Sequence, residues 1–211
     1  KLCDKLGSFQ GQIHRENHAE IKKLTISYSG AVTDYDTKAL TSALVYGFLN
    51  TISDGSVNFV NALSVAESRG IVVEENVVHH VQDFANQITL SVTCEDKTNL
   101  IAGTLFGNKN YRFVRFNDFY LEVIPDGYIL ALHNYDRPGV IGKVTSILGS
   151  HQINVSRMQL TLDKTFVQGS SESCLQEAVS FINIDQPVND AILEELLKLE
   201  NIITVHQIDL N

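Results

Sequence analysis

Tyr128-Ile129-Leu130-Ala131-Leu132-His133 is an apolar run, and Asn134-Tyr135-Asp136-Arg137-Pro138-Gly139 follows it directly. Apolar residues then return as Val140, Ile141, Val144, Ile147 and Leu148. Those positions fall at i, i+1, i+4, i+7 and i+8, which is one face of a helix. The run before them reads as a strand, and the polar hexapeptide as the turn between the two. Working outward, Ile153 to Leu162 reads as a second strand and Leu175 to Ile184 as a third, with a polar loop over Gln168 to Ser173. Asn189 or Asp190 caps a second helix, whose core side is Ile192, Leu193, Leu196, Leu197 and Leu199. Ile202 to Ile208 closes the unit as a strand. The order βαββαβ is the ferredoxin-like split unit.

Upstream, Pro125-Asp126-Gly127 is a strong turn signal between two apolar runs, and it divides the chain into 1–126 and 127–211. In the first part, Glu20 to Ser27 reads as a strand. Asp36 or Thr37 caps a helix to about Asn50, and a second helix runs from Asn58 to Arg69 and stops at Gly70. Five short strands follow: Ile71 to Glu75, Ile88 to Thr93, Leu100 to Phe106, Tyr111 to Phe116 and Phe119 to Val123, with Asn117-Asp118 turning between the last two. Both parts are therefore expected to be α+β.

The 211 residues carry 25 acidic and 16 basic side chains, net −9, which repels phosphate backbones and argues against a nucleic-acid partner. Apolar runs stay well short of the roughly 20 residues a membrane helix needs. Cys3, Cys94 and Cys174 are too few and too scattered for a disulfide framework or a metal cluster, and they read as free thiols in a reducing cytoplasm. The seven histidines are read as holding no metal, with His79-His80 in a solvated loop. Lys1-Leu2-Cys3 at the start suggests a fragment of a longer chain. Phosphate-cradling Gly-x-Gly-x-x-Gly and Gly-x-x-x-x-Gly-Lys patterns do not occur, so the chain is expected to contain no catalytic residue and no NAD site of its own.

The chemistry falls on the hexapeptide. A helix opening near Pro138 and Gly139 leaves backbone N–H groups unpaired at the positive end of its dipole, which suits a carboxylate. Asp136 or a neighbour is the expected cap, and Pro138 suits the first turn. Asn154 offers an amide that both donates and accepts, as an amino acid's ammonium and carboxylate require. On spacing alone, a plain helix start and a turn residue explain these features equally well.

The stretch Asn134 to Gly142, with Ile147-Leu148-Gly149 and Ile153-Asn154-Val155, closely resembles an ACT domain, and more narrowly that of the D-3-phosphoglycerate dehydrogenase family. Lys5-Leu6-Gly7, Tyr28-Ser29-Gly30, Val57-Asn58-Phe59-Val60-Asn61-Ala62, Glu67-Ser68-Arg69-Gly70 and Gly103-Thr104-Leu105-Phe106-Gly107 resemble the family's intervening domain. The resemblance implies an intervening, allosteric domain over 1–126 and an ACT domain over 127–211. It also implies a role in L-serine biosynthesis, with NAD and the catalytic domain in the remainder of the same polypeptide. L-serine or a related effector would bind at the seam of a homodimer or homotetramer, on Asn134, Asp136, Pro138, Gly139, Asn154 and the amides of Val140 and Ile141. Lys109, Arg112 and Arg115 become candidates for an anion site in the intervening domain. Asp163 to Ser173 is longer and more polar than the family's usual hairpin, which is expected to alter the dimer or a neighbouring contact. Two other readings stand beside this one: the ACT-containing subunit of an L-serine dehydratase, and a stand-alone amino-acid sensor.

Overall fold

The computed structural model describes residues 1–17, 20–53, 55–78, 84–95, 97–107, 109–162 and 176–211. His79-His80, Cys174 and the polar stretch around 163–173 lie outside the described residues. The chain divides into two compact units, Lys1–Asn117 and Asp118–Asn211, so the Pro125-Asp126-Gly127 turn falls inside the second.

The first unit opens with helix α1 (Leu2–Asn17), which the sequence reading passes over. Leu2, Leu6, Phe9 and Ile13 form its buried stripe at helical spacing. Gly7 and Gly11 weaken the local helix signal, by roughly 1 kcal/mol each. Their role is tertiary. A Cβ on Gly7 would run into the Leu44 carbonyl and come within 2.7 Å of the Phe48 amide, while one on Gly47 would strike the Asp4 carbonyl. The backbones of α1 and α2 (Lys38–Thr51) approach this closely because those side chains are missing.

Strand β1 (Ile21–Gly30) precedes α2. Asp36 Oδ1 accepts from the Lys38 amide at 3.0 Å, while Thr37, at the cap position itself, instead donates its hydroxyl to Glu75 Oε2 at 2.9 Å. Helix α3 spans Ala62–Ser68 and is shorter than the expected Asn58 to Arg69. Asn58 Oδ1 takes the Val60 and Asn61 amides at 2.9 and 3.0 Å, and Asn61 Oδ1 takes the Asn58 amide at 2.7 Å, so these side chains hold the segment in a turn. Gly70, at φ +73°, ends the helix as expected.

Strands β2 (Val72–Val78), β3 (Asn86–Cys94), β4 (Lys97–Phe106) and β5 (Asn110–Phe116) complete the unit. The strand order is β2-β1-β3-β4-β5. β1 and β2 are parallel, joined by the α2–α3 crossover, and the other pairings are antiparallel. Leu24, Ile26 and Tyr28 on β1, and Leu90 and Val92 on β3, are buried at alternate positions beneath the helices. The Tyr28 hydroxyl lies 2.7 Å from Thr41 Oγ1, which donates to Glu75 Oε1 at 2.7 Å, and burial raises the phenol's pKa.

The second unit contains β6 (Phe119–Val123), β7 (Gly127–Tyr135), α4 (Val140–Ser150), β8 (Val155–Leu162), β9 (Glu177–Ile184), α5 (Asp190–Leu197) and β10 (Ile202–Leu210). From β7 onward this is the expected βαββαβ order, and its antiparallel sheet runs β10-β7-β9-β8, the ferredoxin-like arrangement. Leu130, Leu132, Ile182, Ile184 and Val205 face Val144, Leu148, Ile192 and Leu196 in one core. Leu193 and Leu199 pack against its edge, but Leu197 is 46% exposed and does not join it. Its neighbour Leu196 already occupies the buried side, and adjacent helical positions diverge by about 100°. Asn189 caps α5, accepting the Ile192 amide at 3.0 Å as the sequence suggests.

The opposite face of the sheet is also buried, through Ile129, Ala131, Val179, Phe181 and Ile208. Phe119 of β6 meets His133 of β7 edge-on at 6.3 Å on this side. The Asn183 amide donates to the carbonyls of Ile124 at 3.2 Å and Asp126 at 3.1 Å, tying the turn after β6 to the sheet.

Candidate functional site

At the end of β7 the chain passes into the turn before α4. The Tyr135 amide donates to Asn201 O at 2.9 Å and the Asp136 amide to Gln176 O at 2.7 Å, which fixes the root of the loop. The cap position falls on Gly139, at φ +88° in the left-handed region, with no side-chain bond. Pro138 lies in the turn ahead of the helix instead of in its first turn, because the left-handed glycine moves the helix start to Val140. Asp136 is exposed and caps nothing.

The Val140 amide makes a long bond, 3.3 Å, to Arg137 O, and the first regular helical bond runs from Lys143 to Gly139 O at 3.0 Å. Among the described residues, the Ile141 and Gly142 amides have no backbone partner. A Cβ on Gly139 or Gly142 would meet nothing within 4 Å, so the space before these amides is open. Asn134 lies beneath the loop, only 2% exposed. Its Nδ2 donates to Tyr135 O at 2.9 Å, while Oδ1 is buried with no partner among the described residues. An unmatched buried acceptor costs about 1–3 kcal/mol.

Asn154 is exposed, at the start of β8. Its backbone exchanges bonds with Asp185, at 3.0 and 3.2 Å, and no bond among the described residues engages its side-chain amide. The register locates it. Val155 pairs with Ile184, which pairs with Tyr128, whereas Asn134 stands opposite Ala178, which faces Leu162. Six residues of strand separate the two rows, about 20 Å at the usual rise. The fold thus brings Asn134, Asp136, Gly139, Val140 and Ile141 to one end of α4 and leaves Asn154 at the other.

The three basic candidates of the first unit diverge. Arg112 donates to Tyr111 O at 2.9 Å and lies 5.9 Å over the Phe106 ring, and Arg115 donates to Asn117 O at 2.7 Å. Lys109 instead lines a cavity of about 770 Å³, with Cys3, Tyr35, Leu40, Asn86 and Tyr111 among its walls. Cys3 is buried, and desolvation pushes its thiol up to about 11. A thiol whose folded pKa exceeds its unfolded one favours folding only while protonated. Stability should therefore fall as pH rises from about 9 to about 11, and Cys3→Ala should flatten that slope in pH-dependent denaturation curves.

The reading of the histidines as non-ligating passes over the four-residue spacing of His14 and His18. His18 lies outside the described residues, and His14 is buried with Nδ1 3.5 Å from Cys94 Sγ. Groups of three or more candidate metal ligands do not occur among the described residues. Sequence reasoning also missed Asn183 and the His133–Glu177 pair, whose Nε2 and Oε2 lie 2.7 Å apart. Both strands are buried on both faces, so no sequence pattern marks these residues, and only the cross-strand register makes His133 and Glu177 neighbours.

The second unit is ferredoxin-like with an open helix start and an adjoining buried asparagine, and residues 128–201 match the ACT domain model. Residues 1–117 match the D-3-phosphoglycerate dehydrogenase intervening domain, and the chain belongs to that family. Similar proteins include the D-3-phosphoglycerate dehydrogenase of Bacillus subtilis, 31% identical over all of this chain and 38% of the relative. That of Archaeoglobus fulgidus is 32% identical over 90% of this chain and 34% of the relative. The chain thus spans little more than a third of these relatives. A probable L-serine dehydratase beta chain of Bacillus subtilis is 27% identical over 90% of this chain and 82% of its own length. Among the described residues no helix is long and apolar enough to cross a membrane.

Proposed function

We propose that this chain is the effector-sensing region of a D-3-phosphoglycerate dehydrogenase, and that it binds L-serine where two copies of the second unit meet. The observation that carries this reading is the separation, about 20 Å, of the Asn134–Ile141 cluster from Asn154 within one copy. One amino acid cannot touch both ends. Strand β8 is one of the sheet's two edge strands, and Met158 and Leu160 on it are 38% and 39% exposed. Antiparallel pairing of two β8 strands about a twofold axis brings Asn154 of one copy level with Leu162 of the other, the row that holds Asn134. The Ile141 and Gly142 amides then take the effector carboxylate, Asp136 its ammonium, and Asn134 Oδ1 a donor, while Asn154 closes the site from across the seam. A ligand that favours the paired arrangement shifts its population, and a tethered catalytic domain responds by about 1–3 kcal/mol.

In this reading the complete polypeptide oxidises 3-phosphoglycerate with NAD in the cytoplasm, opening L-serine biosynthesis. NAD belongs to the catalytic portion, since this sequence has no dinucleotide-binding glycine pattern. Calorimetric titration with L-serine tests the proposal. Wild type should bind, and Asn154→Ala should weaken binding about 10-fold or more, as expected for a hydrogen bond to a charged group. Native affinity in the variant would refute the shared seam.

The dehydratase relative supports a second reading, because its likeness covers most of that protein. A partner supplying cysteine ligands for an iron–sulfur cluster would then bind this chain, and an iron chromophore on co-purification with that partner would favour it.

A further inference from the structure

We propose that His133 couples the effector loop to β6, by holding an imidazole hydrogen-bonded to Glu177 against Phe119. This inference rests on the effector reading above. His133 directly precedes Asn134 on β7, and alternation sends the two side chains to opposite faces of the sheet. Asn134 points to the helix side, under the loop that would hold the effector. His133 points to the other side, where Nε2 stands 2.7 Å from Glu177 Oε2 and the ring meets Phe119 edge-on at 6.3 Å. Glu177 lies on β9, one residue from Gln176, whose carbonyl receives the Asp136 amide at 2.7 Å.

Both ends of the His133–Glu177 pair are therefore one residue from the effector loop or from its anchor. Phe119 is two residues beyond Asn117, the last residue of the first unit. A ligand that fixes Asn134 and Asp136 restrains neighbouring His133 and, through Glu177 and Gln176, the strand beside it. The restraint reaches Phe119 because a packed aromatic edge has few alternative arrangements. His133 touches no ligand in this scheme and is a positioning residue.

Hydrogen exchange of residues 118–126, read by mass spectrometry on the full chain with and without L-serine, tests the idea. Saturating L-serine should slow exchange in this segment at least about threefold. His133→Ala should keep the L-serine affinity within about twofold while losing that protection. Phe119→Leu, which leaves the His133–Glu177 contact intact, should also lose it, and it approaches the contact from the other side should His133→Ala fail to fold. Glu177→Gln, which keeps a hydrogen-bond acceptor for the imidazole, should retain it. Protection that persists in both His133→Ala and Phe119→Leu overturns the proposal, as does loss of L-serine binding in His133→Ala alone. Binding by wild type without any change in 118–126 overturns the coupling but leaves the effector reading standing. No binding by wild type removes both.

Discussion

Mixing the Asp136→Ala and Asn154→Ala variants should restore L-serine binding to about a quarter of all sites, although each variant alone binds weakly or not at all. Each variant removes one half of every seam. Random exchange of subunits makes half of the pairs hybrid. A hybrid pair carries one seam with both native contacts and one with neither, so about one site in four is intact. A single loss should cost about 1.5–3 kcal/mol, the range for a hydrogen bond to a charged group, or roughly 10- to 150-fold in affinity. Titrating the two variants separately and after mixing reads the stoichiometry directly, with native mass spectrometry confirming the hybrids. If hybrids form and no binding returns, the effector does not bridge two copies. The physical basis is the register: Val155, which follows Asn154, and Asn134 occupy rows six residues apart, and no rotamer change in one copy spans that distance.

Gly7→Val should destabilise the first unit by about 3 kcal/mol or more, one of the largest effects available to a single substitution here. Local propensity predicts the opposite sign, since glycine is the poorer helix former. The tertiary clash decides it. The new side chain would press on the Leu44 carbonyl and the Phe48 amide, which are helix backbone and cannot turn aside. Gly149→Ala in α4 is the matched control. Nothing lies within 4 Å of its Cβ, so it should stabilise by about 0.5–1 kcal/mol. Chemical denaturation followed by circular dichroism distinguishes the two. A Gly7→Val chain as stable as wild type would show that α1 and α2 do not approach as closely as described.

Much of the second unit is legible in the sequence because its signals are local. The Val140, Val144 and Leu148 spacing, the Asn189 cap and the continuous apolar run of β7 each depend on residues close together in the chain. The first unit is harder. Helix α1 escapes notice since its glycines serve a partner some 40 positions away, and α3 is overestimated because Asn58 and Asn61 spend their side chains on a turn.

The same division runs through the candidate site. Sequence by itself determined which groups are present: a glycine near a helix start, an acid, and two asparagines. Tertiary structure alone decided how they are distributed. Strand pairing buried Asn134 with an unmatched oxygen, set Asn154 at the far end of the sheet, and placed His133 beside Glu177. Helix and turn propensities act over a few residues, whereas register is set by contacts between strands that lie tens of residues apart in the chain.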